Sequence, residues 1–165
     1  MGLKQTIQEN LKSSLQQHDE VGLSTLRMLL AAIVNKEKEK RYKASKENKN
    51  LSEAELQTKS ELSDQEIQEV AMFEAKKRRE SIEAFTKGNR PELVEKETKE
   101  LEVLKSYLPE QLSEEQIRAI VKDAIAKTGV ASQKDMGKLM AILMPQVKGK
   151  SDGNTVSKIV KEFLG

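Results

Sequence analysis

Leu3, Ile7, Leu11 and Leu15 recur every fourth residue, which marks one face of a helix over 3–17. His18, Asp19, Glu20 and Gly22 then read as a break, with Ser24 as a candidate cap for a second helix. Its stripe runs through Leu23, Leu26, Leu30, Ile33 and Val34, and Met28 and Leu29 widen it, so the pattern predicts a helix buried on two sides. Segment 36–63 is polar, with only Leu51, Leu56 and Leu62 as sizeable anchors. Residues 42–62 read as an insertion of low order, or as one extra amphipathic turn through Leu51 and Leu56. Ser63 and Glu66 form a capping box that opens a helix to Lys87, halted at Gly88. Its stripe is Ile67, Val70, Ala71, Ala75, Ile82 and Phe85. Pro91 suits a first helical position, and Leu93, Val94, Leu101, Leu104 and Leu108 follow.

Pro109 disfavours helix in the residue before it, so a domain boundary is placed there. A second capping box at Ser113–Gln116 starts a helix with Ile117, Ile120, Val121, Ala124 and Ile125 inward, ending at Gly129. Ser132 to Asp135 has the spacing of another cap. Met136, Leu139, Met140 and Leu143 share a face of the next helix, which Pro145 is expected to end. Asp152 is the expected cap of a last helix with Val156, Ile159, Val160 and Phe163 inward. The expected architecture is therefore all-α: an N-terminal four-helix domain over 1–109 and a C-terminal three-helix domain over 110–165. No strand pattern is present.

Hydrophobic residues make up 36% and charged residues 34% of the 165, a mix that suits amphipathic helices with solvated outer faces. The chain carries a net charge of +2, unevenly spread. Residues 112–165 hold nine Lys/Arg and six Asp/Glu, a mild basic bias compatible with a phosphate-rich partner. There is no cysteine, so disulfides, thiolate metal sites and cysteine nucleophiles are excluded, and a reducing compartment such as the cytoplasm is expected. The N-terminal residues lack an apolar signal core, and no apolar run is long enough to span a membrane. The one histidine, His18, stands at a polar helix end and reads as a surface residue. Glu95, Glu97, Glu100 and Glu102 have Lys96, Lys99 and Lys105 beside them and no histidine near, which argues against a metal or acid–base site. No catalytic residue, metal ligand set or cofactor is expected.

Binding fits better. Lys134, Lys138, Lys148 and Lys150 flank Gly137, Gly149 and the helix start at Gly153. Lysines beside backbone amides at a helix N-terminus suit a phosphate backbone, and a tight turn alone would also explain the glycines. Arg27, inside an apolar stripe, and Arg78 and Arg79, in the run 76–79, are secondary candidates. The bland reading of Arg27 is a charge that snorkels or pairs at the core edge; that of the run is a solvated face paired with Glu74, Glu80 and Glu83.

Six stretches carry a resemblance. They are DMGK at 135–138 with LMP at 143–145, VKGKSDG at 147–153, Val156 with Val160-Lys161, and upstream LSTLRMLLAAI at 23–33, RRESIEAF at 78–85 and YLPEQLSEE at 107–115. Together they resemble the GatB/YqeY family, in particular small stand-alone YqeY-like proteins. These are related to the C-terminal tail of the B subunit of an aminoacyl-tRNA amidotransferase, a carbon–nitrogen ligase that uses glutamine as amido donor. The resemblance implies a tRNA-binding or tRNA-amidation accessory module acting through its C-terminal unit, with tRNA or another structured RNA as candidate partner and an amidotransferase or tRNA-processing protein as candidate protein partner. The alternative is a helical protein-interaction module with no nucleic-acid role, docking through the second or third helix.

Overall fold

The computed structural model describes residues 2–130 and 132–165. Eight α-helices and one 3-10 turn account for most of them, and no strand occurs among the described residues. The chain divides into two compact units, Met1–Tyr107 and Leu108–Gly165.

The first unit holds α1 (Leu3–Gln16), α2 (Glu20–Glu47), α3 (Glu53–Ser60), α4 (Asp64–Lys87) and α5 (Pro91–Lys105). Five helices stand where the stripe pattern gave four. The 28-residue α2 is the hub, packing against each of the other four. It begins four residues before the Ser24 expected to cap it. Asp19 is the N-cap, its Oδ1 accepting from the Gly22 amide at 2.9 Å, while the Ser24 hydroxyl donates back to the Val21 carbonyl. Gly22 is required there: a Cβ on it would stand 2.1 Å from Asp19 Oδ2 and 2.7 Å from Ser14 Oγ. Ile7, Leu26, Leu29, Ile33, Ile67, Ala71, Ala75 and Leu104 form the interior.

The polar segment 42–62 is helical over most of its length. α2 continues to Glu47, and α3 opens on a complete capping box between Ser52 and Glu55. Arg41 pairs with Glu53, and Lys40 donates to the Glu61 carbonyl at 3.0 Å and to Glu66 at 2.8 Å. Local capping and these cross-helix cations give the segment a structure that sparse apolar residues alone do not predict.

The second unit holds α6 (Glu114–Thr128), the 3-10 turn Gln133–Asp135, α7 (Met136–Val147) and α8 (Gly153–Leu164). Its core is Ile117, Val121, Ala124, Leu139, Leu143, Val147, Val156, Ile159 and Val160. Several local expectations need correction. Pro145 lies inside α7, which runs two residues further, because one missing amide in a last turn does not unwind it. Ser132 and Asp135 make a 3-10 turn rather than a side-chain cap for α7. Asp152 has cap backbone geometry, but its side chain makes no cap hydrogen bond. Gly137 has nothing within 4 Å of where a Cβ would lie, so it does not serve a close helix crossing.

Candidate nucleic-acid interface

The α7–α8 connection is a turn pinned from outside. The Leu112 amide donates to the Lys150 carbonyl at 2.7 Å, and Gln111 Nε2 donates to the Gly149 carbonyl at 2.8 Å. Gly149 adopts φ 76°, a left-handed conformation that side chains resist, so this turn needs its glycine. The pinned backbone directs Lys148 and Lys150 to solvent just before α8, and both are exposed. Gly153 is the first residue of α8, also exposed. With Asp152 not capping, the first-turn amides of α8 lack a side-chain acceptor. Lys148, Gly149, Lys150 and Gly153 are thus brought together around an uncapped helix N-terminus, where backbone donors and the helix dipole favour an anion.

Lys134 and Lys138 stand elsewhere. They sit at the opposite end of α7, and Lys138 and Lys148 are about 15 Å apart along its axis at about 1.5 Å per residue. Lys138 lies 3.4 Å from Asp135 with its side chain 81% exposed, a contact too open to hold it. Lys134, Lys148 and Lys150 form no ion pair among the described residues. The lysine cluster of the sequence is two pairs in space, one at each end of α7.

The arginines diverge. Arg27 is exposed and forms no ion pair among the described residues, so the pairing with a core-edge carboxylate is not found. Arg78 is drawn inward, its side chain only 18% exposed. It reaches Glu97 at 3.1 Å and Glu100 at 2.9 Å on α5, and also touches the Met28 sulfur of α2. The solvated-face reading therefore fails for Arg78, whose charge ties three helices together. It holds for Lys76, which meets Glu80 at 3.8 Å, whereas the exposed Lys77 meets Glu74 at 2.7 Å, a carboxylate that is itself buried. Arg79 is half-buried. Likewise Lys99 and Lys105 hold Glu95 and Glu102 as local neighbours, but Glu97 and Glu100 belong to Arg78.

Two buried carboxylates escaped the sequence reading. Glu100 is 6% exposed and Glu74 4%. A signal existed. Glu97 and Glu100 share the 93–97–100–104 stripe of α5, and Glu74 and Arg78 share the 67–71–74–78 stripe of α4. Among the described residues no group of three or more His, Cys, Asp or Glu side chains is placed to hold a metal ion, and no helix is long and apolar enough to cross a membrane. His18 is an exposed turn residue with φ 55°.

Two fungal relatives are both named "Altered inheritance of mitochondria protein 41, mitochondrial". The one from Pyrenophora tritici-repentis is 28% identical over 162 residues, covering 96% of this chain and 79% of the relative. The one from Lachancea thermotolerans is 32% identical over 102 residues, covering 62% of this chain and 46% of the relative. The family model described as Yqey-like protein matches residues 4–164, almost the entire chain, and the chain belongs to that family.

Proposed function

We propose that this protein is a non-catalytic tRNA-binding or tRNA-amidation accessory module that contacts RNA through its second unit. The observation that carries the reading is the α7–α8 turn. There Lys148 and Lys150 stand exposed, without an ion pair among the described residues, beside the N-terminus of α8 that Asp152 leaves uncapped. Backbone amides and mobile ammonium groups together suit phosphate oxygens. The second unit has one aromatic residue, Phe163, so a base-stacking platform is missing and recognition of shape and backbone fits better. An amidotransferase or a tRNA-processing protein is the proposed protein partner. The cytoplasm is the proposed compartment; the fungal relatives carry "mitochondrial" in their names, and cell fractionation of the native host decides between the two.

The test is a titration against bulk tRNA at two salt concentrations, with the Lys138→Ala/Lys148→Ala/Lys150→Ala variant alongside. If the three lysines each neutralise one phosphate, a threefold rise in salt weakens binding by about 10–20-fold. The folded variant is expected to lose most binding. Absence of binding at low salt sinks the reading.

A second reading, a protein-interaction module without RNA, is favoured by exposed apolar side chains on helices of the first unit. Tyr42 on α2 is 63% exposed and Phe73 on α4 is 62% exposed. It predicts partner capture that salt barely changes and that the lysine variant retains.

A further inference from the structure

Between α2 and α4 the surface opens into a groove of about 700 Å3. That volume lies in the range of small-molecule sites. Its apolar surface comes from Ala32, Leu62, Val70 and Phe73, and Glu69 and Glu74 stand on the α4 side. Of the groove's cations, Lys36 and Lys40 are already held, at 3.1 Å by Glu39 and 2.8 Å by Glu66, and the exposed Lys43 forms no ion pair among the described residues. The groove as a whole is close to charge balance, so any selectivity must come from a particular atom.

Glu74 supplies that atom. Its side chain is 5% exposed. Oε1 accepts from the Lys77 ammonium at 2.7 Å, but Oε2 is buried with no hydrogen-bond partner. A buried carboxylate oxygen without a donor is costly, and folded chains rarely leave one. The contrast with Glu100 is direct: that carboxylate, buried to the same degree, has Arg78 at 2.9 Å. Lys77 also shows what Glu74 accepts. Its ammonium reaches the carboxylate while lying 5.2 Å from the centre of the Phe73 ring, a cation over an aromatic face.

We propose that the α2–α4 groove binds an alkylammonium group, the ammonium donating to Glu74 Oε2 and the alkyl chain lying on Ala32, Leu62 and Val70. An ammonium brings three donors and no acceptor, which is what an orphaned carboxylate oxygen lacks. Its methylene chain matches a groove with apolar walls. Such a group arrives on a free aliphatic amine or on a lysine side chain of another protein.

Amide chemical shifts of the full chain, titrated with n-hexylammonium and separately with N-acetyl-lysine methylamide, test this. 1-Hexanol and hexanoate serve as controls. Saturable shifts at 32–36 and 66–74 are expected with hexylammonium and not with either control. Similar shifts with the lysine amide assign the group to a protein side chain; their absence assigns it to a free amine. Glu74→Gln is expected to weaken hexylammonium at least tenfold. Ala32→Met, which places a side chain in the groove from α2, is expected to block it and decides the matter if Glu74→Gln does not fold. Equal binding of hexanol, no response to either amine, or an unchanged affinity in the folded variant overturns the proposal.

Discussion

Gly22 and Gly137 are both helical glycines, and their surroundings predict opposite outcomes. A methyl group at 22 collides with Asp19, the residue that caps α2, and with Ser14 of α1. Gly22→Ala is expected to cost about 1–3 kcal/mol through overpacking and loss of the cap. Nothing surrounds Gly137, so Gly137→Ala should raise stability by about 0.5–1 kcal/mol. Urea denaturation of the two variants checks both signs. Arg78 is the other informative residue. Removing it as Arg78→Met leaves Glu97 and Glu100 facing each other without their cation, and breaking such a pair costs about 3–5 kcal/mol. A loss under 1 kcal/mol in the same assay would show the network to be solvated. The spacing put these three side chains on core-facing stripes, yet a charge on a stripe reads equally well as an edge. Which it is depends on a partner 19 residues away on another helix.

At the scale of elements, a side-chain N-cap opens four of the eight helices, α2, α3, α4 and α6. Ser52, Ser63 and Ser113 each accept from an amide three residues on, and Glu55, Glu66 and Gln116 answer in return. These motifs span four residues and were readable at positions 63 and 113 without a structure. Glu66 adds a long-range contribution. The Lys40 ammonium, and after it the Ser63 amide, hold its carboxyl down from 4.5 to about 2. A carboxyl lower in the folded than in the unfolded state stabilises fully above pH 4.5, and that contribution disappears as the pH falls towards 2. Lys40→Met should flatten the pH dependence of stability over that window, and the urea midpoint measured at a series of pH values shows it. The change should be modest, since Glu66 is 38% exposed and screened. α3 has eight residues, too few to persist by propensity. Ser52→Ala, worth about 1 kcal/mol at a cap, should therefore release hydrogen exchange over 53–60 before any other helix responds.

For the molecule as a whole, each unit has its own interior. Leu143 is fully buried in the α6–α7–α8 core, and Leu143→Ala is expected to cost about 2–5 kcal/mol. Native-state hydrogen exchange should then accelerate across 108–165 while α4 and α5 keep their protection. A uniform loss over both units would mean they unfold together. The 58 residues of the second unit make a small core, so such a deletion removes a large share of its stability.

The all-helical class, the family, the stops at Gly88 and Gly129 and most of the apolar stripes were legible in the sequence, although Leu15, Val34 and Phe163, read as part of those stripes, are exposed. The class, the stops and the stripes rest on interactions within about four residues, or on a periodicity that backbone geometry imposes, whereas the family rested on the resemblance of particular motifs. Only the tertiary structure decided the rest. It gave order to segment 42–62 through Lys40 and Arg41 of the neighbouring α2. It turned Arg78 from an outward charge into a buried link, and left one oxygen of Glu74 unanswered in a groove wall. It also separated Lys134 and Lys138 from Lys148 and Lys150 by the length of α7. Chain spacing says which side chains share a helix face. Which charges meet depends on how separate helices cross, and that is set by packing across many residues at once.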